Sequence, residues 1–515
     1  MDLSRSGGSA TLFDIDQIEV IRGPQGTKFG ANALAGIINT KAVEPSNEWK
    51  GKMEIGLGNY DKKSAGIAVG GPLIKDKLLG RFSLHSNKSD GYITNTFLDR
   101  DNTNNVDEVT ARGHLKWFAS DNVMVDLRYL HLDIDNGYDA FNFDNDRTTQ
   151  SDEPGEDSQN TDAFSLNTVW DINDKITLET SASRSSSDTV YSYDDDWSFD
   201  GVFTNNYDTK NTAIYGQLDT QLNDKTKLIT GLRVEKWKAD YKDSNGNDIP
   251  VDETLYGGKL GLEYEVNDNH LTHATVSRGY KAGGVNPSSE LQEDQLSFDT
   301  EFLWNFEVGV NSSLLDDKLN TRISAFYAKR KDQQTKNSTP LPDGENGTRF
   351  LDLTSNAAEG SNYGLEAELD WAINSKLTLK SSLGLLHAKF DEYETPDRDF
   401  SGRDQAHAPN YQYSVGAEYK INPQLTAGVT LEGKDGFYFS DSHDERADSY
   451  QVVNANLSYK RKNITTTLWG RNLLDEDYDT RGFFFGNNPG NGYTAEKYTQ
   501  KGEPRVFGVN VSVDF

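Results

Sequence analysis

Apolar and polar residues alternate along much of the chain. The clearest case is the final stretch, where every second residue is apolar: Phe507, Val509, Val511, Val513 and Phe515. Residues 425–432 and 453–459 repeat this pattern. Successive side chains of a strand point to opposite faces, so each segment presents one apolar and one polar face. A soluble β-sandwich alternates too, but its strands are shorter. The pattern predicts an all-β chain with long strands.

The connections between these segments fall into two sets that follow each other in turn. Short, turn-like ones lie at 75–77, 119–122, 173–175, 222–226, 266–270, 315–318, 373–376 and 422–424. Long, polar and acidic ones lie at 87–107, 135–158, 187–207, 239–252, 282–299, 331–350, 391–407, 438–447 and 473–502. Turns at one rim and loops at the other are typical of a transmembrane β-barrel. We count about 20 strands, an even number as such barrels require.

One stretch near the start, residues 14–40, differs from the rest. It begins as a short alternating strand, breaks at Gly23-Pro24 and resumes as a second apolar strand at 36–39. The residues between them are mostly small, which allows backbones to approach closely. The stretch suits a compact insert inside a larger structure, although a small α+β turn motif would have a similar composition.

Residues 18–40, IEVIRGPQGTKFGANALAGIINT, closely resemble the end of the plug domain of TonB-dependent outer-membrane receptors. The resemblance continues through RGYKAGGVNP (278–287), LWNFEVGV (303–310), YGLEAEL (363–369), GRNLLDEDY (470–478) and PRVFGVNVSVDF (504–515). It implies a large antiparallel transmembrane β-barrel of about 20–22 strands with a partial N-terminal plug domain in its lumen. The expected division is 1–45 for the plug remnant and 46–515 for the barrel. Family members have 22 strands, so we expect one hairpin to be absent between Tyr193 and Thr212.

The resemblance also implies a function, namely uptake of a bulky, scarce nutrient, most often a ferric chelate of the siderophore type. The implied partners are the outer-membrane lipid, the nutrient, the TonB–ExbB–ExbD complex and the barrel-assembly machinery. No signal peptide, TonB box or first part of the plug precedes the stretch at 14–40, so we expect an N-terminally truncated form. A passive porin is the alternative, although a porin has no need of the plug turn.

Composition and charge agree with this assignment. The chain has no cysteine, 45 glycines, 24 tyrosines and 8 tryptophans, which suits many strands with aromatic belts. Its mean hydropathy of -0.73 does not exclude a barrel, because alternation hides the apolar face. A net charge of -30 argues against nucleic acid as a partner, since phosphate binding needs Lys and Arg.

A charged constellation is expected to join the plug to the barrel wall. Arg22, in the plug turn, needs a partner if it is buried in the lumen. The resemblance places matching carboxylates at Glu307 and Glu366, with Glu19 as a further member. Both glutamates lie among apolar residues and have the parity to face inward. The alternative is that both glutamates are ordinary lumen carboxylates facing water.

Loop aromatic residues are candidates for a ligand-binding vestibule. They are Tyr138, Phe141, Trp197, Phe199, Phe483, Phe484 and Phe485. Such residues also pack loops against each other or lie at a membrane interface, and both alternatives stay open.

The sequence carries no recognisable catalytic or cofactor-binding motif. The 8 histidines are scattered outside any nucleophile or metal-ligand spacing, which leaves little support for a hydrolase. Asp243, Asn245 and Asn247 have the first three spacings of a calcium loop, but the later glycine and glutamate are missing. We therefore predict no enzyme activity, no cofactor and no metal site.

Overall fold

A computed structural model describes residues 11–22, 36–174, 176–194, 202–243, 246–286, 291, 295–343, 347–395 and 398–515. Almost all of its regular structure is β. The strands are β1 (Ile15–Arg22), β2 (Gly36–Ala42), β3 (Lys50–Gly58), β4 (Lys63–Ile74), β5 (Leu78–Ser89), β6 (Thr94–Asn95), β7 (Val106–Ser120), β8 (Val123–Tyr138), β9 (Thr148–Thr149), β10 (Gly155–Asn173), β11 (Ile176–Asp194), β12 (Val202–Asn223), β13 (Thr226–Asp243), β14 (Asp248–Asn267), β15 (His270–Lys281), β16 (Gly284–Val285), β17 (Ser297–Phe298), β18 (Glu301–Leu314), β19 (Leu319–Asp343), β20 (Gly347–Ala372), β21 (Leu377–Tyr393), β22 (Tyr411–Lys420), β23 (Leu425–Lys434), β24 (Phe437–Tyr438), β25 (Arg446–Ala447), β26 (Tyr450–Arg461), β27 (Ile464–Arg471), β28 (Asp479–Phe485), β29 (Glu496–Lys501) and β30 (Val506–Asp514).

Twenty of these strands form one closed antiparallel barrel. Each barrel strand pairs with its neighbours in chain order, and β30 closes the ring by pairing with β3, where Val511 lies opposite Ile55. The predicted barrel of about 20 strands is therefore confirmed. Strand β11 pairs directly with β12, as expected if no further hairpin separates Tyr193 from Thr212.

The barrel wall has the two faces that alternation predicts. On β30, Phe507 and Val511 point outward and are 57% and 40% exposed. Asn510 points inward, and its side-chain carbonyl accepts a hydrogen bond from the indole of Trp469 at 3.0 Å. No helix in the described ranges is long and apolar enough to cross a membrane.

Three of the predicted loops are wrong in extent, because strands continue into them. The intervals 187–207, 239–252 and 331–350 are mostly the ends of β11 and β12, of β13 and β14, and of β19 and β20. Beyond the lipid, a strand needs no apolar face, but its backbone ladder continues to form hydrogen bonds. Polar composition at these positions therefore marks the limit of the membrane and not the end of the strand.

The remaining strands belong to five small sheets outside the barrel ring. β1 and β2 form an antiparallel hairpin near the start of the chain. The pairs β6–β9, β16–β17, β24–β25 and β28–β29 lie in the long connections at the outer rim. These small sheets give the loops regular structure of their own.

Candidate functional site

The hairpin formed by β1 and β2 is fixed to the barrel wall by a buried ion pair at its base. The guanidinium Nε of Arg81, on β5, donates to Oδ2 of Asp14 at 2.8 Å, and its Nη2 contacts the other carboxylate oxygen. The side chains are 8% and 3% exposed. Because both charges are buried, each depends on the other for compensation.

Backbone and aromatic contacts reinforce this attachment. Arg112, on β7, donates from Nη1 to the carbonyl of Phe13 at 3.0 Å and from Nη2 to that of Thr11 at 2.6 Å. The Phe13 ring stacks on His85, with 5.3 Å between ring centroids. It also fills the space at Gly66, where an added Cβ would lie 2.7 Å from the ring. A residue larger than glycine at position 66 would therefore clash with the Phe13 ring.

The chain leaving the hairpin is held by a second ion pair. Glu44 Oε2 lies 2.5 Å from Lys116 Nζ, and Glu44 Oε1 lies 3.8 Å from Arg128. The hydrogen bond from Lys116 lowers the pKa of the Glu44 carboxyl, with a further contribution from the nearby cations. Together with Arg81 and Arg112, these contacts attach both ends of the hairpin to strands β5, β7 and β8. We call Asp14, Glu44, Arg81, Arg112 and Lys116 the plug anchor.

The predicted arginine–glutamate lock remains a prediction, because the side chain of Arg22 lies outside the described residues. Glu307 faces inward as expected, and its Oε1 lies 3.1 Å from His273 Nε2. Glu366 lies on the inward face of β20, with β19 between it and β18. Glu19 contacts its own hairpin, where Lys41 Nζ is 2.5 Å away and the amide of Asn39 donates at 2.9 Å.

Five of the seven candidate vestibule residues lie in the described ranges and enter three groups of rings. Phe141, of the connection 139–154, lies 5.2 Å from Phe483, and Phe485 lies 5.1 Å from Tyr498. Tyr138 meets Tyr191 at 5.0 Å. The ring centroid of Phe484 lies 6.2 Å from that of His443, and that of Phe483 lies 6.2 Å from that of Phe485. Trp197 and Phe199 lie outside the described residues.

Hydrogen bonds lock the connection 139–154 onto the hairpin β28–β29. Asn145 accepts from the backbone N–H of Thr499 at 2.6 Å and donates to the carbonyl of Lys497 at 3.1 Å. Arg147 donates to Asp477 at 3.2 Å and to the carbonyl of Gly502 at 3.1 Å. The aromatic rings therefore sit in loops that hold one another in place.

The connections 394–410 and 435–449 meet beside this pair. Arg403 stacks on the ring of Tyr438 at 4.0 Å and donates to the carbonyl of Ser440 at 3.0 Å. Arg398 donates to Asp444 at 2.7 Å, and this hydrogen bond lowers the pKa of the Asp444 carboxyl. We use the term outer loop layer for residues 139–154, 394–410, 435–449 and 472–505.

Below the loops, the upper wall carries buried charge networks that sequence inspection missed. Glu235, fully buried on β13, accepts from Arg233 Nε at 2.8 Å and from the Tyr280 hydroxyl at 2.9 Å. Glu301, also fully buried, meets Arg330 Nε at 2.5 Å. Their strand parity is visible in the sequence, but their partners depend on strand register.

Two of the residues considered for a calcium loop at 243–248 form hydrogen bonds with each other in the described part of that hairpin. The Asp243 carboxylate accepts from the backbone and side-chain N–H groups of Asn247, at 3.0 and 2.8 Å. Within the described residues, no group of three or more His, Asp or Glu side chains is arranged to hold a metal ion.

Comparison with known proteins identifies the family to which this barrel belongs. The family model described as "TonB dependent receptor-like, beta-barrel" matches residues 54–473. The chain belongs to the TonB-dependent receptor family. It is therefore an outer-membrane β-barrel and a TonB-dependent transport receptor rather than a passive porin.

Relatives span nearly the whole chain. The pesticin receptor of Yersinia pestis is 22% identical over 574 aligned positions, covering 98% of this chain and 82% of that protein. The crystal structure of the ferric yersiniabactin uptake receptor FyuA from Yersinia pestis superposes with a TM-score of 0.75 at 18% identity, covering 98% and 85% of the two chains. The siderophore receptor PiuA from Acinetobacter baumannii superposes with a TM-score of 0.72 at 15% identity, covering 98% and 87%. At these identities the structural likeness concerns the fold.

Proposed function

We propose that this receptor captures a bulky ferric chelate of the siderophore type at the outer loop layer and admits it through the barrel when the plug moves. The observation that carries the proposal is that aromatic residues from separate loops meet, Phe141 with Phe483 and Phe484 with His443. Rings that are held by interlocked loops offer large contact areas for a planar or partly apolar ligand. The names of the relatives, a pesticin receptor and siderophore receptors, favour the same class of ligand.

The proposed division of labour assigns residues 1–45 to the plug and 46–515 to the barrel. The TonB–ExbB–ExbD complex would supply the energy for plug movement, and the barrel-assembly machinery would insert the strands. Within the lumen, we propose that Arg22 is compensated by Glu307 and Glu366, because an unpaired buried cation costs several kcal/mol. The ligand would pass through unchanged, without a catalytic step or a cofactor.

A binding screen tests the ligand class directly. The purified receptor is titrated with a panel of ferric chelates of catecholate, hydroxamate and mixed types, and with the same chelators free of iron, while tryptophan fluorescence is followed. We expect saturable quenching by one ferric class, weakened by Phe484→Ala, whose ring is 42% exposed. The matched control is Phe515→Ala, at the opposite end of the barrel. Swelling of receptor-containing liposomes in small sugars, without saturable binding, would favour the porin alternative.

A further inference from the structure

One arginine connects two of the ring groups at the outer rim. Arg481, on β28, places its guanidinium carbon 4.8 Å from the centre of the Phe483 ring. Its Nη1 donates to the hydroxyl of Tyr138, at the outer end of β8, at 3.4 Å. Tyr138 in turn packs against Tyr191. Because Arg481 is exposed, a cation lies at the surface where aromatic rings of separate elements meet.

Most arginines of the outer loop layer are neutralised by a carboxylate. Four of the six lie 2.7–3.3 Å from an aspartate, namely Arg147, Arg398, Arg403 and Arg505. Arg481 differs, because its contacts with the described residues are to a ring and a hydroxyl, both uncharged. Asp479 lies two residues away on β28, but it is paired with Lys501 at 2.9 Å. The guanidinium of Arg481 therefore has a charge and N–H donors that these contacts leave unused.

A second cation lies near the same part of the outer loop layer. The Nζ of Lys434, at the end of β23, is 4.2 Å from the centre of the Phe437 ring, and no described carboxylate is paired with it. The ring centroids of His407 and Phe437 are 5.2 Å apart. Burial lowers the pKa of His407, and the charges of Lys434 and Arg481 lower it further, against the opposite effect of Asp441. Both cations therefore lie within electrostatic range of the same imidazole.

These contacts fit a ligand that carries anionic oxygens on a planar ring. A guanidinium binds two adjacent oxygen atoms through parallel N–H groups, and aromatic side chains pack against the face or edge of a ligand ring. A neutral ligand would gain the ring contacts, but it would displace water from Arg481 without compensating the charge. A chain with a net charge of -30 repels an anion at long range, so the capture of one requires cations at the point of contact.

We propose that the chelate captured at the outer loop layer is an anion whose iron is held by catecholate oxygens, and that Arg481 selects for its charge. This inference rests on the proposed function and adds to it the charge and the donor type of the ligand. The guanidinium donates to the catecholate oxygens, while the ligand ring packs against Phe483 and Tyr138. Lys434 adds electrostatic attraction from the end of β23.

Equilibrium binding of two iron(III) complexes of similar size and different charge tests the proposal. The probes are the trianionic complex of a tripodal tris-catechol amide and the neutral complex of a tris-hydroxamate, titrated into the purified receptor while tryptophan fluorescence is followed. The test variant is Arg481→Gln, and Arg481→Lys restores the charge without the planar fork of donors. The matched control is Arg505→Gln, at an arginine of the same layer that is paired with Asp475 at 3.2 Å. Both arginines are exposed, so the variants are expected to fold.

The unaltered receptor should bind the trianionic complex more tightly than the neutral one. Arg481→Gln should weaken binding of the trianionic complex about tenfold, because a charge-assisted hydrogen bond is lost, and should leave binding of the neutral complex unchanged. Arg481→Lys should recover part of the loss, and Arg505→Gln should change neither affinity. Tighter binding of the neutral complex, no loss in Arg481→Gln, or an equal loss in Arg505→Gln would overturn this inference alone. Binding of neither complex would overturn the proposed function together with it.

Discussion

Replacing Arg81 by leucine should loosen the plug hairpin without loosening the barrel. The substitution leaves the Asp14 carboxylate buried against the wall of β5 without its guanidinium partner. Leucine keeps part of the side-chain volume, so the main change is the loss of a charge. The rest of the plug anchor, at Arg112 and Lys116, remains in place.

The magnitude follows from the burial of the pair. Both side chains are less than a tenth exposed, and removal of one partner from a buried ion pair costs about 3–5 kcal/mol. If this cost acts on local opening of the hairpin, the open population rises about 200- to 4000-fold. The matched control is Arg322→Leu, whose side chain is 71% exposed and 3.2 Å from Glu368. An exposed pair of this kind contributes about 0–1 kcal/mol.

Hydrogen exchange read by mass spectrometry measures the effect on the backbone amides of β1 and β2. Exchange of these amides should accelerate strongly in Arg81→Leu and hardly in Arg322→Leu, while barrel strands such as β30 keep their protection. The double variant Asp14→Leu with Arg81→Leu should recover part of the protection, because no buried charge is left unpaired. Unchanged exchange in Arg81→Leu, or an equal increase in the control, would show that the pair does not hold the hairpin.

Three further predictions concern the wall and the loops. Val511→Arg should lower the unfolding free energy of the barrel by about 2–4 kcal/mol, whereas Asn510→Ala should cost about 1 kcal/mol through a lost hydrogen bond; equal costs in a denaturant titration would contradict the two-faced wall. A double-mutant cycle with Phe141→Ala and Phe483→Ala should give a coupling of about 0.5–1.5 kcal/mol in loop protection, and zero coupling would mean that these rings do not pack. The hydrogen bond from Arg398 lowers the pKa of the Asp444 carboxyl below its ordinary value, so this bond stabilises the loops above about pH 4 and is lost as the pH falls further; loop proteolysis should accelerate on acidification, and Asp444→Asn should remove that dependence.

Alternation was enough to predict the class of fold because a membrane imposes it on every strand. The outward parity of Phe507 and Val511 and the inward parity of Asn510 and Glu307 follow from position alone. The same reasoning failed where the membrane ends. Strands β13 and β14 continue through 239–243 and 248–252 with polar outer faces, because polar side chains on the outward face are solvated by water beyond the lipid.

Residue partners could not be predicted, because they depend on register and on loops that meet far from each other in sequence. Asp14 and Arg81 are 67 positions apart, and Asn145 and Thr499 are 354 apart. Single-sequence patterns carry no information about such pairs. Residue type alone pointed to Phe483 and Phe485 as loop aromatics, but nothing local pointed to Tyr498 as their neighbour.

The unequal strand lengths give the receptor a lopsided profile outside the cell. Strands β19 and β20 have 25 and 26 residues, whereas β27, β30 and β3 have 8, 9 and 9. At about 3.3 Å per residue and a tilt near 40°, the long hairpin rises about 60 Å, twice the hydrocarbon thickness of about 30 Å. By the same arithmetic the short strands rise only about 20 Å, so the connections that follow them begin at the level of the membrane. An antibody or another large particle that approaches the cell can therefore contact the upper parts of β19 and β20 well above the membrane surface, about 30 Å beyond the hydrocarbon layer.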